Sequence, residues 1–531
     1  MFNPHHVRRY ALLLLALTLL SYLPASAVKK AKAKVPRALG PHIDFILSQA
    51  ETERGFWGIE VVRLSDGKIL YKRNEDHLFM PASNMKLFTT AAALENLGPD
   101  YIFRTTVECD TSPDGQGRVH NLILVGRGDA NIGSRVLPYH LKTERRIYAD
   151  QIFRDLADQV VAHGVREIQG DLVADDTYFL YEPYNQDWGV GDIQWGYGAP
   201  ISALAFNDNE LMVHVQPGAA EGATALVSLA PLEDYFQVND HLETSGAGAR
   251  ERIFIERAPG SKQIDIWGQV PLGATVDDDT VSIDDPPQAA GTIFRKLLEE
   301  RGIKVSGRVV VKHLTRMEAA TNADAPTKPP ARVVLAQYQS PPLREDITVT
   351  NKVSQNLHAE MLLRTLGREV KKLGSTSSGL EVLADFGSKM GIPPDEYYFT
   401  DGCGLSRKAL VAPEAMVKLL AYMAHSPNFE AYYNSLPVAA TDGTLAERFK
   451  GTSADGAIHA KTGTITHVNA LSGYMDLPSG DRLAFSILGN SHPMSAHDGA
   501  RAADQIALAI YEKFGGRKKS SDKKRKEKKK E

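Results

Sequence analysis

The sequence PASNMKLFTTAAAL occupies residues 81–94 and carries a Ser-x-x-Lys motif at Ser83 and Lys86. Its apolar run predicts a buried helix that ends near Gly98. Ser83 would then lie at the helix N-terminus, where the macrodipole is positive, and Lys86 would follow one turn later on the same face. Because a serine hydroxyl is a poor nucleophile until a neighbouring base takes its proton, this spacing predicts a nucleophilic serine paired with a lysine base.

Two further motifs follow along the chain, Ser-x-Asn at Ser354 and Asn356, and Lys-Thr-Gly at residues 461–463. Together with Ser-x-x-Lys they form, in this order, the three signatures of acyl-enzymes that react with penicillins. Each motif alone has a simpler interpretation, as a helix N-cap, a solvated charge or a turn. Other Ser-x-x-Lys matches have the wrong context, since Ser65 lies in a predicted β-hairpin and the remaining ones lie in a lysine-rich tail.

The chain resembles the serine D-alanyl-D-alanine carboxypeptidases/endopeptidases, the class C low-molecular-weight penicillin-binding proteins. The 271 positions between Ser83 and Ser354 exceed the compact helical lobe of a class A β-lactamase. They predict an inserted region, which class C enzymes carry at this point. Further segments that match the family extend the resemblance to roughly residues 40–515: 122–129, 170–179, 202–209, 400–407 and 436–445.

The resemblance implies a catalytic role for each motif. Ser83 would be the nucleophile and Lys86 its base, provided that burial and a second cation, Lys461, lower the pKa of Lys86. Ser354 would relay a proton between the leaving group and the lysines. Asn356 would hold the substrate amide.

Substrate binding is expected along the strand that carries Lys-Thr-Gly. Thr462 and the backbone from Lys461 through Gly463 to Thr464 would bind the substrate carboxylate and pair with its peptide. Backbone N–H groups of Ser83 and Thr464 would form the oxyanion hole.

The resemblance also implies two residues for the substrate side chain. In relatives, an aspartate in the element that resembles residues 173–179 reaches towards a free amino end, and Asp175 fits its spacing. Arg407 would contact the carboxylate end, so that the two together suit a zwitterionic diaminopimelate side chain. The sequence leaves open that Asp175 ends a strand and that Arg407 forms a surface ion pair.

The expected fold class is α/β: a penicillin-recognising, transpeptidase-like catalytic domain, an antiparallel sheet with a helical lobe, with large, mostly β inserted domains. Short alternating runs between Gly, Pro and Asp turns predict the β character of the insertion. The predicted boundaries are a signal peptide at 1–27, catalytic segments at 28–100 and 336–516, inserted domains at 101–335 with a nested insert near 185–275, and a basic tail at 517–531.

Composition and the chain ends predict an exported enzyme. With a net charge of −4 and 24% charged residues, the chain is not expected to bind nucleic acid or to be disordered. A charged start at Arg8 and Arg9, a short apolar run and Ala25-Ser26-Ala27 predict a signal peptide and a periplasmic or envelope location. An uncleaved anchor is the alternative. The basic tail would be solvated, or would contact an anionic envelope surface.

No metal site or cofactor is expected. The sequence has no His-Glu-x-x-His or paired Cys-x-x-Cys motif, and Cys109 and Cys403 are expected to be separate buried thiols. The Gly-rich residues 126–129 lack the ending of a phosphate-binding loop and predict a tight turn instead.

The predicted function is that of a serine DD-peptidase of peptidoglycan, which forms an acyl-enzyme on Ser83 with a D-alanyl peptide. Release of D-alanine would be carboxypeptidase action, and release of a cross-linked neighbour would be endopeptidase action. β-Lactams would acylate the same serine as covalent inhibitors. Two alternatives stay open: a β-lactamase or esterase of the same fold, although the chain has no Leu-Asn dipeptide of the class A deacylation device, and a non-catalytic wall-binding scaffold.

Overall fold

The computed structural model describes residues 36–139, 148–275, 279–322 and 332–515. The predicted signal peptide and basic tail lie outside these ranges. Within them, no helix is both long enough and apolar enough to cross a membrane.

The described residues form the following α-helices and β-strands. The helices, in chain order, are α1 (Leu39–Leu47), α2 (Met85–Leu97), α3 (Gln151–Ala162), α4 (Pro286–Glu300), α5 (Arg316–Asn322), α6 (Leu343–Lys352), α7 (Asn356–Lys371), α8 (Thr376–Lys389), α9 (Pro413–Met423), α10 (Phe429–Asn434) and α11 (Ala496–Gly515). The strands are β1 (Phe56–Arg63), β2 (Ile69–Arg73), β3 (Arg104–Cys109), β4 (Arg118–Val119), β5 (Leu122–Val125), β6 (Glu167–Ile168), β7 (Leu172–Leu180), β8 (Glu210–Gln216), β9 (Leu226–Ala230), β10 (Gln237–Ser245), β11 (Arg252–Glu256), β12 (Gln263–Pro271), β13 (Asp279–Ser282), β14 (Lys304–Val305), β15 (Val309–Leu314), β16 (Val333–Gln339), β17 (Tyr397–Tyr398), β18 (Leu410–Val411), β19 (Ile458–Ile465), β20 (Val468–Asp476) and β21 (Arg482–Asn490).

A five-stranded antiparallel sheet forms the centre of the catalytic domain, in the order β19-β20-β21-β1-β2. Both faces are covered, because alternate residues of a strand point to opposite sides. On β20, Leu471 and Met475 pack in a core with α1 and α11. Ala470 and Tyr474 pack in a second core with α2 and α9 of the helical lobe. This arrangement leaves β19 at the sheet edge, beside the start of α2.

The insertion forms a second, mixed sheet in the order β15-β7-β5-β3-β16, against which α3 and α4 pack. Its first strand, β3, pairs antiparallel with its last, β16, so the chain leaves and re-enters the catalytic domain at neighbouring points. A long insertion is therefore accommodated without separating the two catalytic segments. Two three-stranded sheets, β10-β12-β11 and β13-β8-β9, arise from residues 210–282 and overlap the predicted nested insert.

The predicted fold class is confirmed by this architecture. The helix after Ser83 ends at Gly98, which has a φ of +83°, and the predicted β-hairpin around Ser65 is the pair β1 and β2. Both cysteines are buried and unpaired. The insertion also contains α3, α4 and α5, which the alternating runs did not reveal. The exact domain boundaries stay a prediction.

Candidate active site

Ser83 lies where the chain turns into α2. Residues Ala82–Asn84 form a 3-10 turn that leads directly into the helix at Met85. The first N–H groups of a helix have no intrahelical partner, so this turn presents backbone donors together with the Ser83 hydroxyl. Lys86 follows in the first turn of α2, and its Nζ lies 2.9 Å from Ser83 Oγ.

Lys86 has three hydrogen-bond partners. Its Nζ lies 2.6 Å from Asn356 Oδ1, 2.9 Å from the Cys403 carbonyl oxygen and 2.9 Å from Ser83 Oγ. The Asn356 amide is oriented by its Nδ2, which donates to the Tyr197 carbonyl oxygen at 2.8 Å. A neutral amine has two N–H groups and one lone pair. When the N–H groups donate to Asn356 and Cys403, the lone pair faces the one partner with a proton to give, the Ser83 hydroxyl.

Burial favours this neutral form of Lys86. Both Lys86 and Lys461 are 0% exposed. Burial lowers the pKa of Lys86, although the nearby Cys403, Asp401 and Glu360 act in the opposite direction. Burial, reinforced by the charge of Lys86, lowers the pKa of Lys461 well below its usual value. The site therefore contains a lysine whose unprotonated form, the one that can act as a base, is more abundant near neutral pH than that of a solvated lysine.

The second and third motifs supply another serine–lysine pair. Ser354, with a φ of +68°, lies in the short connection between α6 and α7, and Gln355 caps α7 by accepting a hydrogen bond from Leu357 N. Ser354 Oγ lies 2.8 Å from Lys461 Nζ, which also donates to the Thr462 carbonyl oxygen at 2.9 Å. The structure thus brings the three sequence motifs together at one place.

Two glycines allow backbone segments to approach the Ser83 turn. A Cβ on Gly463 would lie 2.7 Å from the Pro81 carbonyl oxygen and 3.1 Å from Ser83 N. Gly404 has a φ of +82°, and a Cβ there would overlap the Ala82 carbonyl oxygen. Strand β19 and the loop that holds Lys86 can therefore contact the nucleophile turn only because both positions lack a side chain.

These groups open into a cleft of about 300 Å³. The cleft is lined by Ser83, Ser354 and Asn356 from the motifs, and by Thr464 and Arg407. Thr464 follows Lys-Thr-Gly on the exposed part of the edge strand β19. A substrate in this cleft would touch both the start of α2 and the sheet edge.

The insertion contributes one wall of the cleft, through Asp192 and Tyr197. The Tyr197 hydroxyl donates to Asp192 Oδ1 at 3.1 Å, and the Tyr197 carbonyl orients Asn356. Arg407 is exposed, and its guanidinium lies 3.5 Å from the Thr466 carbonyl oxygen. The cleft therefore contains one carboxylate and one guanidinium. Asp192 and Tyr197 were not predicted, because they lie in a Gly-rich loop without apolar periodicity.

The D-Ala-D-Ala carboxypeptidase 3 (S13) family matches residues 39–512 of the chain, from α1 to α11. The chain belongs to this family. It is a serine-type peptidase, and therefore a hydrolase, and its resemblance to the class C low-molecular-weight penicillin-binding proteins is confirmed. The match includes both catalytic segments and the insertion.

Individual relatives of this S13-family chain are similar to it over nearly its whole length. A D-alanyl-D-alanine carboxypeptidase of Actinomadura sp. (strain R39) is 36% identical over 509 residues, which cover 94% of this chain and 89% of the relative. Penicillin binding protein 4 (dacB) of Haemophilus influenzae has a similar structure, with a TM-score of 0.73, 22% identity and coverage of 88% of this chain and 98% of that chain. Its complex with a β-lactam gives a TM-score of 0.69, with 21% identity and coverage of 89% and 99%.

Gly463→Ala should slow the reaction of Ser83 in this S13-family enzyme. The new Cβ would press on the backbone at Pro81 and Ser83, so β19 would have to move away from the nucleophile. A displacement of about 1 Å near reacting groups is enough to cost about 10²-fold in rate. The measurement is the rate constant for acylation by a fluorescent penicillin. Gly115→Ala, whose Cβ would meet nothing within 4 Å, should react like the wild type; an unchanged rate in Gly463→Ala would contradict the close-approach argument.

Asp175, the predicted partner of Arg407, does not line the cleft. It lies on β7, between β5 and β15, and is 2% exposed. Its carboxylate accepts hydrogen bonds from Thr177 N at 3.1 Å and Thr177 Oγ1 at 2.6 Å, and it lies 3.6 Å from the Arg332 guanidinium. Asp175, the residue that the family spacing indicated, is therefore buried within the sheet. Asp192 is the carboxylate that lines the cleft in this structure.

A buried ionic cluster fixes the first turn of α7, next to Asn356. His358 is 0% exposed, and its two ring nitrogens lie 2.7 Å from Asp346 on α6 and 3.0 Å from Asp208 of the insertion. Because both partners are carboxylates, both nitrogens donate and the ring is a cation. Burial alone would lower the pKa of His358, but Asp346 and Asp208 outweigh it and raise the pKa to about 9. Arg135 also pairs with Asp208.

One cluster of metal-binding residue types occurs in the described part of the chain, behind Lys86, and consists of Glu360, Asp401 and Cys403. Asp401 Oδ1 accepts from Gly404 N at 2.8 Å, and Glu360 Oε1 accepts from Cys403 N at 2.9 Å. Burial raises the pKa of Glu360 to about 7. These carboxyl groups hold the loop whose Cys403 carbonyl binds Lys86, and we assign no metal to them.

Proposed function

We propose that this enzyme is a DD-peptidase of peptidoglycan, in which Ser83 forms an acyl-enzyme with a D-alanyl peptide. The observation that carries the proposal is the contact of Ser83 with buried Lys86, beside a second pair of Ser354 and Lys461 at the same cleft. Membership of the D-Ala-D-Ala carboxypeptidase 3 (S13) family and the likeness to the Actinomadura carboxypeptidase support this substrate class.

Acylation begins with proton transfer from Ser83 to Lys86. Neutral Lys86 accepts the hydroxyl proton while Ser83 Oγ attacks the carbonyl carbon of the penultimate D-alanine. The carbonyl electron pair moves to oxygen. Backbone N–H groups of Ser83, at the start of α2, and of Thr464, on β19, then donate to this oxyanion. The tetrahedral intermediate forms between the helix N-terminus and the sheet edge.

The amine leaves when this intermediate collapses. Ser354 gives its proton to the leaving nitrogen and regains one from Lys461, whose Nζ lies 2.8 Å from Ser354 Oγ. A free D-alanine leaves in carboxypeptidase action, and a cross-linked peptide leaves in endopeptidase action. Water then attacks the ester carbonyl and gives a proton through Ser354 to Lys461, while Lys86 returns its proton to Ser83 Oγ. The acid product leaves, and Ser83 and both lysines regain their starting protonation.

The substrate peptide binds as an additional strand along β19. This strand is the edge of the five-stranded sheet, and an edge strand offers N–H and C=O groups to an extended peptide. The Thr462 hydroxyl, which lies 2.8 Å from that of Thr444, and the backbone of β19 receive the substrate carboxylate. Gly463 keeps this strand close to the nucleophile.

Asp192 and Arg407 recognise the substrate side chain. A zwitterionic diamino acid side chain needs a carboxylate for its amine and a cation for its own carboxylate. The cleft contains one group of each kind. This assignment keeps the predicted role of Arg407 and replaces Asp175 by Asp192.

Asp192→Asn should raise KM by about tenfold for a D-Ala-D-Ala peptide with a free side-chain amine, because a charge-assisted contact is lost. Acylation by benzylpenicillin, which lacks this amine, should stay nearly unchanged. The measurement is D-alanine release at varied peptide concentration. The same peptide with an acetylated amine is the control and should be cleaved equally by both proteins. Equal losses on the free and acetylated peptides would assign Asp192 a structural role.

The N-terminal sequence supports export of the enzyme. A charged start, a short apolar run and Ala25-Ser26-Ala27 fit a secretory signal, and peptidoglycan peptides lie outside the cytoplasm. We therefore place the enzyme in the periplasm or cell envelope.

Release of D-alanine from a pentapeptide ending in D-Ala-D-Ala tests this function. Purified wild type should release D-alanine, and Ser83→Ala should not. Peptide binding without release in the wild type would favour the non-catalytic scaffold.

A penicilloyl adduct should persist far longer than a lactamase turnover, and rapid loss of the adduct with excess hydrolysed antibiotic would favour a β-lactamase.

A further inference from the structure

A second recess, which we call the interdomain groove, lies between the insertion and the helical lobe and has a volume of about 1200 Å³. One wall consists of residues 180–187, at the end of β7, and part of α5. The other consists of the end of α7, the start of α8 and residues 398–400. None of the motif residues lines it, so it is separate from the catalytic cleft.

The interdomain groove and the catalytic cleft are built on the same two chain segments. On one side, residues 184–187 line the groove and Asp192 lines the cleft. On the other side, residues 398–400 line the groove and residues 404–407 line the cleft. The groove is therefore the recess that a ligand extending from the cleft along these two segments would reach.

Hydrogen bonds and an ion pair join the two walls of the groove. Glu182 of the insertion accepts hydrogen bonds from Thr376 N and Thr376 Oγ1, both at 3.0 Å, and pairs with the buried Arg364 of α7. Asn185 Nδ2 donates to the Thr400 carbonyl oxygen at 2.6 Å. These hydrogen bonds and the ion pair join the two walls within the protein, so the recess keeps its form without a ligand.

Aromatic faces and a cation remain directed to solvent in this groove. Tyr398 is 59% exposed, and Tyr181, whose ring centroid lies 3.9 Å from that of His313, is 47% exposed. Lys372 is exposed, and its Nζ donates to the Glu369 carbonyl oxygen at 2.7 Å; the described residues provide no carboxylate partner for it. Amphipathic rings beside a lysine suit a ligand that combines flat, weakly polar rings with carboxylates.

We propose that the interdomain groove binds the glycan-linked part of a peptidoglycan strand whose D-alanyl end lies in the catalytic cleft. The inference rests on the proposed DD-peptidase function. A cleft of about 300 Å³ holds only the terminal residues of such a polymer, so the sugars and the first stem-peptide residues lie outside it. The exposed tyrosines contact the sugar faces, and Lys372 pairs with a carboxylate of the strand.

The double variant Tyr398→Ala/Lys372→Glu tests this proposal. Three substrates with the same D-Ala-D-Ala end are compared: the free pentapeptide, the disaccharide pentapeptide and insoluble sacculi. Cleavage of the free pentapeptide should match the wild type. Cleavage of the disaccharide pentapeptide and sacculi should fall by about tenfold, as expected for the loss of one aromatic contact and one ionic contact.

The control is Phe254→Ala/Lys68→Glu, which removes a 50% exposed aromatic residue and reverses an exposed charge on other surfaces. It should cleave all three substrates like the wild type. Equal kcat/KM of wild type and groove variant on the disaccharide pentapeptide and sacculi would overturn the proposal, as would equal losses on all three substrates. Failure of the DD-peptidase function itself would look different, because the wild type would then cleave none of them.

Discussion

Lys86→Met is expected to reduce the rate of Ser83 acylation by about 10²- to 10⁴-fold, the usual contribution of a general base. In the wild type, Lys86 Nζ lies 2.9 Å from Ser83 Oγ and can take its proton. Methionine fills a similar space but has no nitrogen that could do so. In the wild type the rate should rise with pH as Lys86 loses its proton. Because burial lowers the pKa of Lys86, this rise should be centred below the usual value of 10.5. Stopped-flow acylation by a fluorescent penicillin measures both effects.

The unfolding midpoint distinguishes the loss of the general base from a loss of folded structure. Lys86 is 0% exposed, so its exchange for methionine relieves a desolvation cost, while Asn356 and the Cys403 carbonyl lose a hydrogen-bond donor. Because the two effects oppose each other, the unfolding midpoint of Lys86→Met should change little. Lys68→Met, on the exposed hairpin, should keep the wild-type rate. A wild-type rate in Lys86→Met would exclude Lys86 as the base. A strongly lowered midpoint would attribute the lost activity to the fold.

His358→Gln is expected to destabilise the protein by about 3 kcal/mol near pH 6, the free-energy equivalent of raising the folded-state pKa from 6.5 to about 9. A group whose pKa is raised on folding contributes stability that is fully present below the unfolded-state pKa. That contribution is lost as pH rises through the folded-state pKa. The difference in unfolding midpoint between wild type and His358→Gln should therefore be largest near pH 6 and shrink towards pH 10.

Other titrating groups also make the unfolding midpoint depend on pH, and they do so in both the wild type and His358→Gln. The difference in midpoint between the two proteins removes these effects. Burial raises the pKa of Asp129, beside the cluster, to about 6, so this carboxyl titrates below the range in which His358 loses its proton. His425→Gln, on an exposed histidine, is the matched control and should leave the midpoint unchanged. A midpoint difference that stays constant from pH 6 to pH 10 would show that His358 is not charged in the folded protein.

The sequence was sufficient to locate the candidate catalytic motifs because the residues of each motif lie close together in the chain. Ser83 and Lys86 are separated by one helical turn, and the Lys-Thr-Gly residues follow one another on β19. Their order along the chain and the long segment between Ser83 and Ser354 indicated the family and the insertion. The geometry within a motif is short-range, and the order and separation of the motifs are read directly from the sequence.

The side-chain recognition and the supporting contacts depend on distant parts of the chain. Asp192 reaches the cleft only because the insertion folds back over α7, where the Tyr197 carbonyl bonds Asn356. His358 joins carboxylates that are 12 and 150 positions away in the sequence. Asp175 fitted a family spacing, yet the pairing of β7 between two strands buries it. Such long-range pairings leave no periodic signal in the sequence.

The central claim is that Ser83 is the nucleophile of this S13-family enzyme, and the mass of the protein after reaction with benzylpenicillin tests it most directly. Peptide mapping of the product should show one penicilloyl group per chain, on the peptide that contains Ser83. Ser83→Ala, with an unfolding midpoint like that of the wild type, should show none. An adduct on another residue, or equal labelling of the two proteins, would contradict the account.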